Sequence, residues 1–191
     1  MKIGIYVGSF NPPHKGHIKI VNHLINNYLD KVIIIPTGNY WNKLDLVSIN
    51  DRINMLKFYE KEKIIIDNKN NNLEYTYQIL NNLVKKYKKD ELYLIIGADN
   101  IVNFDKWKNY KEILEYNLII LNRDNIDVLK YLDKLNKKDK YIIVNDLPNI
   151  DTSSTMIRNK IKNKDYNNLS MYIDNCILNY IKENKLYEGE L

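Results

Sequence analysis

Ile3-Gly4-Ile5-Tyr6-Val7-Gly8-Ser9-Phe10-Asn11-Pro12-Pro13-His14-Lys15-Gly16-His17 opens with branched aliphatic residues, stops at a glycine and turns through two prolines onto two histidines three positions apart. Ile3 to Val7 reads as a buried strand. Beyond the histidines, Ile18, Val21, Leu24, Ile25 and Tyr28 recur at helical spacing, so the segment is the strand, turn and helix that begin a βαβ unit. Pro12 and Pro13 stiffen the turn, and Gly16 keeps the first turn of the helix free of a side chain.

The same alternation continues along the chain. Val32 to Ile35 forms a second strand ended by Pro36, and Ser48 with Asp51 resembles a capping box for a helix carrying Ile53, Leu56 and Phe58. Ile64 to Ile66, Leu92 to Ile96, Leu118 to Leu121 and Tyr141 to Val144 read as further strands. Tyr77, Leu80, Val84 and Tyr87 outline a helix, a lysine-rich helix precedes the last strand, and Asn68 to Asn72 is a polar loop. From Ser153 onward the pattern gives two or three helices. The expected fold is α/β, a Rossmann-like parallel sheet of about five to six strands flanked by helices. It forms one domain over 1–191, with 153–191 as its C-terminal helical part. Gly8, Gly38 and Gly97 each fall just after a predicted strand, at the edge where open α/β sheets bind ligands.

Composition narrows the function classes. Hydrophobic residues make up 45% and charged residues 28%, the balance of a globular protein, and no apolar run approaches the ~20 residues that span a bilayer. With no signal-peptide profile at the start, the expectation is a cytoplasmic protein with no membrane partner. The single cysteine, Cys176, excludes a disulfide framework and reads as a buried structural thiol among Ile173, Ile177, Tyr180 and Ile181. The net charge of +5 comes from lysines scattered among acidic residues, which reads as solvated faces and not as a nucleic-acid surface. Of the 29 Lys plus Arg, only Arg52, Arg123 and Arg158 are arginine. A chain so biased to lysine retains arginine where a planar fork is required, so these three become candidates for phosphate contact, with chance survival as the alternative.

No G-x-G-x-x-G follows the first strand and no G-x-x-x-x-G-K-S/T occurs, which argues against a nicotinamide dehydrogenase and a P-loop NTPase. Instead His14 and His17 open a helix, whose N-terminus presents unpaired N–H groups and the positive end of its dipole. Two imidazoles there can donate hydrogen bonds to a phosphate whose charge grows in a transition state. His23, further along the helix, reads as a surface or packing residue.

With those residues in hand, the chain resembles the His-x-Gly-His nucleotidyltransferases, and within them the bacterial nicotinate-nucleotide adenylyltransferases. Gly8 to His17 is similar to their opening signature, and Thr152-Ser153-Ser154-Thr155-Met156-Ile157-Arg158 resembles their late Ile-Ser-Ser/Ala-Thr-x-Ile-Arg motif. Tyr75-Thr76, Gly97-Ala98-Asp99, Phe104 with Trp107, and Arg123 fall between them in the family's order, and the resemblance runs from residue 1 to about Tyr187. It implies transfer of the adenylyl group of ATP to nicotinate mononucleotide, giving deamido-NAD and pyrophosphate, with Mg2+ accompanying ATP and no protein-bound metal. It further implies catalytic roles for His14, His17 and Arg158. ATP contacts would come from Gly8, Ser9, Phe10, Gly16, Gly97, Asp99, Arg123, Ser153 and Thr155 as well, and Asn39, Lys43, Tyr75, Thr76 and Trp107 would border the acceptor. Asp99 would meet a ribose hydroxyl and Trp107 would stack on the pyridine ring.

Plainer readings stand beside these. Ser153 to Thr155 also fits a helix cap, Asp99 a cap for a helix toward Phe104, and Trp107 a core residue. The chain departs from the family's pattern after the second strand. There Tyr40-Trp41-Asn42-Lys43 replaces Pro-Pro-His-Lys/Arg, so that only Lys43 matches. Asn11 stands where aspartate is commoner, and Thr152 where isoleucine is. Another acceptor, such as nicotinamide mononucleotide or phosphopantetheine, and a binding module without catalysis are the alternatives; oligomeric state and the roles of Trp41 and Arg52 stay open.

Overall fold

The structure is a computed structural model that describes residues 1–38, 45–123 and 126–188. Among the described residues, six strands form one parallel sheet: β1 (Lys2–Gly8), β2 (Lys31–Pro36), β3 (Ile64–Ile66), β4 (Glu91–Gly97), β5 (Asn117–Leu121) and β6 (Tyr141–Val144). Their order is β3-β2-β1-β4-β5-β6, and the register sets Ile5 opposite Ile33 on one side and Leu94 on the other. Each strand falls where the sequence places one. The runs of Ile, Val and Leu are nearly continuous because both faces of this sheet are covered.

The first two helices, α1 (Lys15–Asn27) and α2 (Ile49–Lys57), bury Ile20, Val21, Leu24 and Leu56 against one face with Val32, Ile34 and Ile95. The other face takes α3 (Thr76–Lys86), α4 (Ala98–Val102), α5 (Tyr110–Ile113) and α6 (Val128–Lys134), which pack on Ile3, Ile5, Leu94 and Ile120. After β3, at one edge, the chain returns to the middle of the sheet, where β4 pairs with β1 on the side away from β2. The loops leaving β1 and β4 therefore diverge to opposite faces and leave a crevice between them. Periodicity carries no separate sign of α4 and α5, which are too short to repeat a pattern.

A third apolar cluster joins α2 to the C-terminal helices α7 (Ser154–Lys162) and α8 (Asn175–Glu183): Met55 lies with Ile157, Ile161, Ile173, Ile177 and Ile181, all essentially inaccessible. Each such side chain stabilises the docking by roughly 1.5–3 kcal/mol, enough to fix the start of α7 relative to the sheet. Ser48 accepts from the Asp51 N–H at 3.1 Å and caps α2 as expected. Three expectations fail. Phe58 and Val84 are exposed, since Phe58 is already the C-cap of α2 and the buried stripe of α3 is Ile79, Leu80 and Leu83. Cys176 is exposed as well, because α8 turns Ile177, Leu178 and Ile181 inward and leaves its neighbour outside. Among the described residues no helix is long and apolar enough to cross a membrane.

Candidate active site

Helix α1 starts where β1 leaves the sheet. His14 is its N-cap, with extended backbone, and His17 stands in its first turn. The two rings stack, with centroids 3.7 Å apart and planes 29° from parallel. The His14 backbone N–H donates to His17 Nδ1 at 3.2 Å, so the neutral His17 ring carries its proton on Nε2 and offers that N–H as a donor. Both rings are held neutral. Burial, reinforced by the Arg123 charge, brings His14 down to about 4, and burial followed by the charges of His14 and Arg123 holds His17 well below 6.5. His14 is 5% exposed and its Nδ1 has no partner, a polar atom that a ligand entering here would satisfy.

The loop between β1 and α1 is shaped by packing against backbone preference. Phe10 adopts φ 46°, a left-handed conformation unfavourable by ~1–2 kcal/mol for a bulky residue, and is held there by edge-on contacts with Tyr6 at 5.3 Å and His17 at 5.0 Å. At Gly16 a Cβ would stand 2.5 Å from Ile150 Cγ2 and 3.0 Å from the His14 ring, so only glycine lets the segment before α7 close over the start of α1.

Arginines fix the surrounding loops. Arg52, 1% exposed, donates to the carbonyls of Ser9 (2.8 Å), Thr37 (2.7 Å) and Val47 (3.2 Å) and so ties the ends of β1 and β2 to α2. Its Nε and Nη1 are engaged by backbone, which gives Arg52 a structural part in holding these loops together. Arg158, on α7, donates from Nη1 to the Asn11 carbonyl at 2.9 Å and from Nη2 to Thr155 Oγ1 at 3.4 Å, while its Nε is buried without a partner. Ser154 Oγ donates to the Pro12 carbonyl at 2.9 Å, and Ser153 caps α7 by accepting from the Met156 N–H at 3.1 Å. The N-termini of α1 and α7 are thus joined through one loop.

On the other side of β1 lies a cavity of about 700 Å³, lined by Gly8, Ser9, Tyr75, Thr76, Asn100 and Trp107 among others. Trp107 stacks on Phe104, centroids 4.9 Å apart, and lines the cavity. Gly97 is the N-cap of α4, which sets aside the cap reading of Asp99. The Asp99 carboxylate instead accepts from Asn100 Nδ2 at 3.3 Å and leans over Gly97 where a Cβ would collide with it. Its charge and that of Arg123 both act on the buried Tyr6 hydroxyl, whose pKa burial pushes up to about 12.

The predicted site residues therefore fall into two groups that meet at Gly8 and Ser9. Phe10, His14, Gly16, His17, Ser153, Thr155 and Arg158 gather around the two helix starts, with Arg123 close enough to depress both histidines. Tyr75, Thr76 and Trp107 line the cavity, with Gly97 and Asp99 at its β4 edge beside Asn100. Asn39, Lys43 and Trp41 lie outside the described residues. Sequence reasoning misses Thr37, Glu74, Lys106 and Lys108 in the cavity wall and the clamps made by Ser154 and Asn11. Ser154 lies inside a quoted motif, whereas the cavity wall assembles from four loops and has no local signal.

A pH dependence follows from the depressed histidines. Folded His14 takes up its proton only near pH 4, whereas in the unfolded chain it does so near 6.5. Between those values the unfolded state binds more protons, so stability present above pH 6.5 is lost as pH falls toward 4. Melting of the ligand-free protein across this window is expected to show that decline, and His14→Gln to flatten it in part. An unchanged slope in the variant would assign the acid sensitivity to other groups.

A doubly wound parallel sheet whose switch point faces neutral paired imidazoles, two helix N-termini and an arginine is suited to receive an anionic ligand. Residues 5–160 match the cytidylyltransferase-like family model. A Clostridium novyi protein named "probable nicotinate-nucleotide adenylyltransferase" is 40% identical, covering 86% of this chain and 88% of its own. A Borreliella burgdorferi protein of the same name is 38% identical over 98% and 97%. Among solved structures, Plasmodium falciparum nicotinic acid mononucleotide adenylyltransferase complexed with NaAD shares the fold, with a TM-score of 0.81 at 24% identity over 99% and 98% of the two chains. Its complex with APC gives 0.79. The chain belongs to the cytidylyltransferase-like family, on the branch of the nicotinate-nucleotide adenylyltransferases.

Proposed function

We propose that this chain, acting as one domain over residues 1–191 in the cytoplasm, transfers the adenylyl group of magnesium-bound ATP to nicotinate mononucleotide, releasing deamido-NAD and pyrophosphate. The observation that carries the reading is the stacked, neutral pair His14 and His17 at the N-terminus of α1, within reach of the Arg123 charge and next to a cavity of about 700 Å³. The names of the relatives supply the acceptor.

A phosphate oxygen of the mononucleotide bonds to the α-phosphorus of ATP. The bond to the oxygen bridging the α- and β-phosphates breaks, and pyrophosphate leaves with the electron pair. The attacking oxygen is already ionised at neutral pH, so the protein has to align the groups and neutralise growing charge. Neutral His17 donates from Nε2 to the α-phosphate and His14 donates beside it. The added negative charge reverses part of their pKa depression and strengthens both bonds. Arg158, Thr155, Ser153 and the amides of α7 receive the β- and γ-phosphates. Arg123 adds positive charge to the same face, Asp99 takes the ribose hydroxyls, and Gly8, Ser9, Phe10, Gly16 and Gly97 give backbone access. The acceptor occupies the cavity, its ring against Trp107 and its neighbours Tyr75, Thr76, Asn39 and Lys43. Magnesium arrives with the triphosphate as part of the substrate. Among the described residues no group of three or more His, Cys, Asp or Glu gathers that could hold a metal ion.

Pyrophosphate release with ATP, magnesium and a panel of acceptors tests this. Nicotinate mononucleotide is expected to be used roughly a hundredfold faster than nicotinamide mononucleotide, with no turnover of phosphopantetheine. Equal or reversed preference would discard the acceptor while leaving the reaction class.

A further inference from the structure

Asn11 is 5% exposed, and its amide is engaged at both ends: Nδ2 donates to the Asp45 carbonyl at 2.8 Å, and Oδ1 accepts from the Val47 N–H at 3.3 Å and from the Tyr187 hydroxyl at 2.8 Å. Its own carbonyl is the acceptor that holds Arg158 Nη1. The shorter of the two bonds to Oδ1 comes from a residue 176 positions away, at the far end of the described chain. Tyr187 adopts φ 64°, a left-handed conformation that a tyrosine holds only when its surroundings enforce it. Those surroundings are the apolar cluster of α7 and α8, against which Tyr187 packs. Its ring is close enough to Arg158 and Arg52 for both charges to act on the hydroxyl.

We infer that Tyr187 is a positioning residue of the phosphate site: its hydroxyl holds Asn11 in the orientation from which the Asn11 carbonyl aims the Arg158 guanidinium. The inference rests on the reading that Arg158 grips the triphosphate. It adds a residue from outside both sequence motifs, and it makes docking of the C-terminal helices a condition of triphosphate binding. It also accounts for an amide at position 11, since a carboxylate would accept from Tyr187 and Val47 but could not donate to Asp45.

Tyr187→Phe removes one oxygen and keeps the ring. Tyr180→Phe is the control, because the Tyr180 hydroxyl also ties α8 to α2, donating to Asp51 Oδ1 at 2.9 Å and accepting from Asn54 Nδ2 at 3.0 Å, without touching Asn11. Calorimetric titration with a non-hydrolysable ATP analogue is expected to show roughly five- to tenfold weaker binding in Tyr187→Phe, the worth of one ordinary hydrogen bond. Tyr180→Phe should bind as the unaltered protein does, although both variants melt a few degrees lower. Arg158→Ala should lose more, and Tyr187→Phe in that background should lose little further, with the acceptor KM unmoved throughout. Unweakened binding in Tyr187→Phe, or losses that multiply with those of Arg158→Ala, would overturn the inference. Failure of the unaltered protein to use nicotinate mononucleotide would remove the acceptor assignment and leave the binding result to decide this one. Failure to bind the analogue at all would remove both.

Discussion

Replacement of His17 by alanine is expected to lower turnover by about 10²- to 10³-fold while the protein keeps its fold. The reason lies in where the donor sits. Nδ1 is occupied by the His14 backbone N–H, so Nε2–H is the hydrogen-bonding atom left to meet the substrate, and the ring is fixed between His14 and Phe10. A donor held in place costs no reorganisation as charge develops, and alanine can neither donate nor be replaced by water of comparable order. The packing lost against Phe10 lowers the melting temperature by a few degrees only, because His17 is half-buried and outside the three apolar clusters. The ATP KM should move far less than kcat, as the triphosphate keeps Arg158 and the helix ends. Turnover within about fivefold of the unaltered protein would show that the imidazole pair is structural.

Arg52→Leu is expected to cost about 3–5 kcal/mol of stability, a large share of the ~5–15 kcal/mol typical of a domain. Leucine fills much of the volume but leaves the carbonyls of Ser9, Thr37 and Val47 without the donors that now reach them at 2.7–3.2 Å. Lysine should recover little, because a point charge on a flexible stem cannot address three carbonyls arranged around a planar fork. Denaturant unfolding gives the value directly. A loss below about 1 kcal/mol would mean that water or a shifted loop replaces the clamp, and that the ends of β1 and β2 do not depend on it.

The contrast between these two positions separates what is written locally in the chain from what only folding assembles. The placement of His17 is legible in the sequence because its whole context is local: strand, glycine, two prolines and a helix start within fifteen residues set it in the first turn of α1. The six strands are legible for the same reason, since a sheet covered on both faces writes unbroken aliphatic runs. Arg52 is not, for its three partners lie 43, 15 and 5 positions away and only the fold brings them together. Helix faces read one step out of phase at Val84 and Cys176, where a short helix offers too few turns to distinguish adjacent stripes. The cavity wall is legible in part: Tyr75, Thr76 and Trp107 follow from the family resemblance, whereas Thr37, Glu74, Lys106 and Lys108 become neighbours only when loops from three strands converge. Asn11, Ser154 and Tyr187 belong to a hydrogen-bonded hub that joins residues more than 140 positions apart, a distance across which spacing carries no information.

A crystal structure with a non-hydrolysable ATP analogue and magnesium bound bears on all of this at once. The α-phosphate is expected within hydrogen-bonding distance of both imidazoles at the start of α1, with the outer phosphates against Arg158 and the first turn of α7 and the cavity beside Trp107 left open for an acceptor. A triphosphate seated away from His14 and His17 would contradict the mechanism proposed for this chain.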